Sequence, residues 1–266
     1  MKKFDFHIHL FPESIATKTV DHLSKLSGLT PFYEATTCGL LKHMSECKID
    51  KSLLLPIATN EKQEKNVNDF AISLNGEGDK IVSFGSVYPF SENPIATLEY
   101  LVANNIKGIK LHPEYQEFEV DEKGLYPIYE FCQKNNLVVV FHCGKDLAFP
   151  NRCNCTPEKL KKVVKAFPYM RVVGAHLGGW KLWEEVLEHL CGLENLYLDT
   201  AFIASHISQT MFLKICEQHG IDKILFATDF PWSNGDKESS LIDSIGFSHE
   251  DLEKIYYKNA IELIGL

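Results

Sequence analysis

No apolar run in this sequence approaches the ~20 residues that cross a bilayer, which excludes a membrane-spanning helix. Positive charge is scarce: 27 Lys and Arg against 36 Asp and Glu leave a net charge of −9 over 266 residues. That balance argues against a nucleic-acid partner, because phosphate binding needs a basic surface. A Gly-rich turn after the first strand-like segment is missing, since "HLFPESIATK" contains no glycine, and this removes the main mark of a dinucleotide-binding open sheet. Paired CxxC spacings are missing too. The eight cysteines are scattered, and the closest two, Cys153 and Cys155, form a lone C-x-C without the second pair that a structural zinc site uses. They read as reduced thiols rather than a disulfide framework. No internal repeat, low-complexity tract or linker divides the chain. The opening "MKKFDF" looks like a signal n-region for three residues, after which Asp5, His7 and His9 interrupt any apolar continuation. The expectation is a cytoplasmic protein.

What the sequence does have is alternation. Short apolar, β-branched runs stand at 4–10, 51–57, 80–87, 106–112, 137–143, 170–176, 195–201 and 223–229, separated by amphipathic stretches. After Thr156-Pro157, for example, Leu160, Val163, Val164 and Phe167 recur at helical spacing, with Thr156 placed as N-cap and Pro157 as the first helical residue. Leu182, Val186 and Leu190 line one face of the next such stretch, and "EDLEKIYYKNAIELIGL" reads as a closing helix. Eight strands, each followed by a helix, give a single (β/α)8 TIM barrel over residues 1–266, of α/β class. The irregular stretches 28–40 and 144–156 are its candidate active-site loops.

Barrel chemistry sits at the C-terminal ends of the strands. In "FDFHIHLF", Asp5, His7 and His9 alternate with Phe4, Phe6, Ile8 and Leu10, so a regular strand would project the two sets to opposite faces. The other strand ends supply Lys110 and His112, His142, His176 and Asp229. Each alone has a bland explanation: a buried imidazole donating to a carbonyl, a snorkelling lysine, an aspartate capping a turn. Together, four histidine-bearing strand ends, a lysine and an aspartate converging on one end of a dry barrel would be costly without a cation. Imidazoles with a carboxylate suit zinc and its neighbours, so His7 and His9 are expected to bind one ion side by side.

On these residues the sequence resembles the amidohydrolase superfamily, and within it the amidohydrolase-related (amidohydrolase 2) branch of metal-dependent TIM-barrel hydrolases and decarboxylases. "DFHIHLFP" is similar to the H-x-H signature of strand 1, "GIKLHPEYQ" to the strand-4 block, "VFHCG" to the strand-5 histidine and "GAHLGG" to the strand-6 histidine. "FATDFPW" resembles the strand-8 aspartate motif and "YYKNAIELIGL" the C-terminal helix. The resemblance implies metal ligation by His7, His9, His142 and Asp229, with Asp229 and His176 as the catalytic acid–base groups. It implies one divalent ion, zinc first, with manganese, iron, cobalt or nickel as alternatives. A second ion bridged by a carboxylated Lys110 is the less favoured form; Lys110 and His112 are instead expected to face the substrate. Asp5 and Asp199 are candidates to orient the ligating imidazoles or simply to cap turns. Cys143 reads as a core residue, and Trp180 and Trp232 as pocket walls or loop anchors.

Three functions remain open at this stage. The first is hydrolysis of a small amide, imine or lactone by a metal-activated water, whose pKa a divalent ion can lower from about 15.7 to about 7. The alternative is non-oxidative decarboxylation of a small aromatic or dienoic acid, ranked second because 266 residues leave little room for lid insertions. The third is a non-catalytic metal- or ligand-binding barrel. The expected partner is a small-molecule substrate, with neither nucleic acid nor membrane, and a homodimer is the default for a barrel enzyme.

Overall fold

A computed structural model describes all 266 residues. Eight parallel staves are present: β1 (Phe4–Ile8), β2 (Lys51–Leu54), β3 (Ile81–Ser83, resuming at Gly85–Ser86), β4 (Gly108–Leu111), β5 (Val138–Phe141), β6 (Arg171–Gly174), β7 (Leu196–Asp199) and β8 (Ile224–Leu225). They pair in chain order. The cylinder closes where Phe6 N–H donates to Phe226 O at 2.9 Å, Asp229 N–H to His7 O at 2.9 Å and His9 N–H to Phe230 O at 2.8 Å. The eight staves match the eight runs expected from sequence, but each is shorter. His9, His112, His142, His176 and Asp229 therefore lie just beyond their strands, in the turns that form the mouth.

Helices cover the outside: α1 (Glu13–Ser27), α2 (Thr37–Cys47), α3 (Glu61–Leu74), α4 (Pro94–Ala103), α5 (Tyr126–Lys134), α6 (Pro157–Ala166), α7 (Trp183–His189), α8 (Gln209–His219), α9 (Gly235–Asp243), α10 (His249–Glu253) and α11 (Asn259–Ile264). Helix α6 starts as its sequence dictates, with Thr156 Oγ1 accepting from Lys159 N–H at 3.3 Å and Pro157 in the first turn. The expected closing helix is interrupted by a π-helical turn, Lys254–Lys258. There Ile255 O accepts Phe226 N–H at 2.9 Å, a sheet donor that draws the carbonyl out of the helical ladder.

Two apolar clusters separate inside from outside. Leu53, Leu55, Val138, Val140, Leu225 and Ala227 fill the lumen, closed at the bottom by Ala260, Leu263 and Ile264 of α11. The intervening residues, Leu54, Val139, Phe141, Leu196 and Leu198, meet the helices in a larger shell with Leu160, Val163 and Val186. The strict alternation expected along β1 fails. Phe4 and Phe6 belong to the lumen cluster whereas Ile8 and Leu10 belong to the shell. Between Asp5 and Ile8 the register with β2 slips, three steps on β1 matching two on β2. A bulge of this kind reverses the inward face, so the two phenylalanines plug the barrel and His7 and His9 still reach its mouth.

Candidate metal centre

His7 is buried, and its Nδ1 lies 2.9 Å from Asp199 Oδ2. A carboxylate oxygen accepts, so Nδ1 carries the proton and Nε2 presents a lone pair. Burial, then the neighbouring Lys110, hold His7 well below the ordinary imidazole range, which keeps the ring neutral. His9 Nδ1 lies 2.9 Å from the Leu55 carbonyl, which fixes the same tautomer. The two Nε2 atoms stand 3.5 Å (His7) and 3.2 Å (His9) from Asp229 Oδ1. The neutral His7 thus turns a lone pair toward the carboxylate, acceptor facing acceptor, an arrangement that a cation between them satisfies. Metal–ligand bonds of about 2.1 Å in tetrahedral array place donors about 3.4 Å apart, which these separations match. The donor set of His7, His9 and Asp229 therefore fits a divalent ion.

Asp229 and His176 sit in left-handed backbone, at φ 65° and 57°. Non-glycine residues held there store about 1–3 kcal/mol each, and such positions concentrate at functional sites. Asp199 helps to hold the turn after β6, since its Oδ1 accepts His176 N–H at 2.9 Å and Ala201 N–H at 3.1 Å. Asp5 is enclosed on the other side: its carboxylate takes Thr228 Oγ1–H at 2.5 Å and the N–H groups of Thr228 and His7 at 2.9 and 3.2 Å. Burial nonetheless raises it to about 8. Asp5 thus ties β1 to the turn that carries Asp229, while Asp199 orients an imidazole directly.

His142 does not join the His7–His9–Asp229 group. Its Nδ1 is 3.0 Å from His176 Nε2, and its ring stacks on His112 with centroids 4.0 Å apart and planes 12° off parallel. His112, His142 and Asp146 form a second group of convergent donor atoms beside the first. Lys110 is fully buried one layer beneath, its Nζ 3.2 Å from His7 Nε2, and burial lowers it from the ordinary ammonium range. His112 is the strand-4 residue that reaches the mouth, against Tyr115, whose ring meets Phe149 edge-on with centroids 4.8 Å apart.

Asp146 and Glu114 were not anticipated from sequence. Asp146 lies in the 144–156 loop, four residues after His142, and that spacing was its one available signal. Glu114 lies two residues after His112, fully buried and raised by that burial to about 7. The cysteines carry no disulfide. Cys143 is a core residue as expected, its Sγ 3.5 Å from Cys155 Sγ. Trp180 anchors the loop after β5 through its backbone, with Lys145 N–H donating to its carbonyl at 3.0 Å. No helix is long and apolar enough to cross a membrane.

A family profile described as Amidohydrolase matches residues 58–266. Among solved structures, a TIM-barrel protein of Bordetella bronchiseptica superposes with a TM-score of 0.81 at 20% identity, over 100% of this chain and 99% of that one. A 5-carboxyvanillate decarboxylase of Sphingomonas paucimobilis gives 0.73 at 14% identity, over 100% and 99%. A dihydroxybenzoic acid decarboxylase of Polaromonas with bound manganese gives 0.73 at 15% identity, over 100% and 97%. These likenesses establish the TIM-barrel fold. A comparison with curated sequences finds no match.

Proposed function

The chain belongs to the amidohydrolase family, and from that premise we propose that it is a metal-dependent, non-oxidative decarboxylase of a small aromatic acid. It is an enzyme of a family whose fold neighbours include decarboxylases matched over nearly their whole length. Decarboxylases matched from end to end put this reading ahead of the hydrolase ranked first on chain length. The observation that carries the reading is the two-layered mouth: imidazoles held by their Nδ1 contacts around Asp229, beside an aromatic wall of Tyr115 and Phe149.

His7, His9 and Asp229 would hold the ion, with His142 as the fourth ligand expected from sequence; zinc or manganese both suit this donor set. When bound, the ion supplies Lewis-acid charge to substrate oxygens. The chain's own groups manage the proton. Loss of carbon dioxide leaves an electron pair on the ring carbon, and one proton must reach that carbon. Asp229 is the group placed to carry it, with the His176–His142 pair behind as a relay between ring nitrogens 3.0 Å apart. His112 and the aromatic wall would orient the ring, and Lys110 would set the charge beneath it.

The second reading, hydrolysis of a small amide, imine or lactone, rests on the same centre and on the family's description. One assay separates the two. Metal-loaded protein is offered a panel of hydroxylated benzoic acids, with carbon dioxide release measured, and a parallel panel of lactones and amides, with acid release measured. Carbon dioxide release abolished in Asp229→Asn supports the proposal; lactone or amide turnover without it replaces the proposal by the second reading.

A further inference from the structure

We infer that Arg152 and the Tyr115 hydroxyl form a subsite for a second carboxylate on the substrate, one that stays on the ring while the first is lost. This deepens the decarboxylase reading and rests on it for the fate of the first carboxylate. Lys and Arg together number 27, and only Arg152 and Arg171 are arginines. Arg171 is engaged at the base of the barrel, its guanidinium donating to the carbonyls of Leu263 and Asn136. Arg152 stands at the opposite end, in the 144–156 loop, its guanidinium carbon 4.5 Å from the centroid of the Phe149 ring. Phe149 meets Tyr115 at 4.8 Å between centroids, and Tyr115 meets His112 at 4.7 Å. A ladder of rings thus leads from the mouth out to the guanidinium.

The subsite is held in place by backbone. Arg152 N–H donates to Phe149 O at 3.0 Å, a turn that sets the guanidinium over the ring. Asn154 ties this turn to the strand-4 side, its N–H donating to Glu114 Oε1 at 2.8 Å and its amide to Pro113 O at 3.2 Å. A guanidinium stacked on a ring keeps its fork of in-plane N–H donors for a carboxylate. The one acid within ion-pair distance is Glu117, at 3.7 Å with a side chain 74% exposed. Such a pair is weak, so an incoming carboxylate displaces it at small cost. Tyr115 makes one hydrogen bond, from its N–H to His112 Nδ1 at 3.5 Å, which leaves the phenol hydroxyl free. Burial, then Asp146 and Asp229, hold that phenol above its ordinary range, so it remains a donor beside the metal centre. In the carboxylate that leaves, the C–C bond breaks, the ring keeps the electron pair, and negative charge moves off the oxygens. A guanidinium on those oxygens would favour the ground state over the transition state. The fork therefore suits a carboxylate that keeps its charge throughout.

Equilibrium binding tests the subsite apart from the reaction. Zinc-loaded protein is titrated calorimetrically with benzoate, isophthalate and terephthalate, with circular dichroism confirming the fold of each variant. At least one of the two diacids is expected to bind roughly 10–100-fold tighter than benzoate. That preference should be lost in Arg152→Met, reduced in Tyr115→Phe, and partly kept in Arg152→Lys, which retains the charge without the fork. Equal affinity for benzoate and both diacids would overturn the inference. A diacid preference unchanged in Arg152→Met would also overturn it, by seating the second carboxylate elsewhere. A preference that depends on Arg152, in a protein that releases no carbon dioxide, would keep the subsite and remove the decarboxylase reading.

Discussion

Asp199 uses both carboxylate oxygens as acceptors: Oδ2 toward His7 Nδ1 at 2.9 Å, and Oδ1 toward His176 N–H at 2.9 Å and Ala201 N–H at 3.1 Å. An asparagine offers one acceptor oxygen and one donor nitrogen, so it cannot reproduce this pattern. If the oxygen keeps the backbone donors, the amide N–H₂ meets the Nδ1–H of His7, and the imidazole must change tautomer and surrender its metal-facing lone pair. Asp199→Asn is therefore expected to weaken zinc binding about as much as Asp199→Ala, by roughly 10–100-fold. Competition against a chromophoric chelator measures it. Near-normal affinity in Asp199→Asn would show that Asp199 shapes the turn without fixing His7.

Lys110 gives a contrasting case. It is fully buried and its Nζ hydrogen-bonds only to His7 Nε2. A buried amine with a single hydrogen-bond partner is costly, and replacement by a long apolar side chain is often neutral or stabilising. Lys110→Met should keep or raise the thermal unfolding midpoint, keep the metal content, and lower turnover by removing a positive group from beneath the substrate. Loss of one ion from this variant would instead make Lys110 a bridging ligand in carboxylated form.

The barrel was legible because its strands are near-continuous apolar runs, the pattern of staves buried on both faces. Polar residues stood out against that background, and so His7, His9, Lys110, His112, His142, His176 and Asp229 could be found at strand ends. Asp146 and Glu114 could not, because they lie among irregular, polar residues where one more acid carries no signal. The bulge in β1 was equally hidden. Period-two reading assumes an unbroken strand, and "FDFHIHLF" alternates cleanly in sequence while its backbone does not. The π turn at Lys254–Lys258 depends on a partner outside the helix, the Phe226 N–H, which no local pattern in the tail reveals.

Glu238 carries a pH prediction away from the metal centre. It accepts Ser233 Oγ–H at 2.5 Å and the N–H groups of Ile203 and Ala204 at 3.1 and 2.9 Å, joining the turn after β7 to the turn after β8. Burial outweighs these bonds and raises its pKa from 4.5 to about 7. Between those values the folded protein binds the proton more tightly than the unfolded chain, so this contribution to stability is present at low pH and lost as pH rises toward 7. Urea unfolding at pH 5 and pH 8 should show Glu238→Gln losing less stability across the interval than the unaltered protein, by on the order of 2–3 kcal/mol. Parallel pH dependence in the two proteins would remove Glu238 from the account.

Gly144 and Gly76 share almost the same backbone, φ 86° and 85°, and differ in what surrounds them. A Cβ on Gly144 would stand 2.1 Å from Trp180 N, whereas one on Gly76 would meet nothing within 4 Å. The close approach lies where the ends of β5 and β6 converge: Gly144 N–H donates to Cys155 O at 2.9 Å, and Trp180 N–H to Cys143 O at 3.0 Å. His142 and Asp146 lie two residues to either side of it. Gly76→Ala should cost about 1–2 kcal/mol, the penalty of left-handed backbone alone. Gly144→Ala adds a backbone clash that only displacement of the 144–156 loop relieves, and should cost several times as much, on the order of 3–5 kcal/mol. It should also shift His142, the fourth ligand expected from sequence, and so weaken metal binding, which Gly76→Ala should leave unchanged. Chemical denaturation and metal content of the two variants, side by side, separate conformational strain from close approach. Equal losses would mean that Gly144 is required for its φ angle and not for the space it leaves to Trp180.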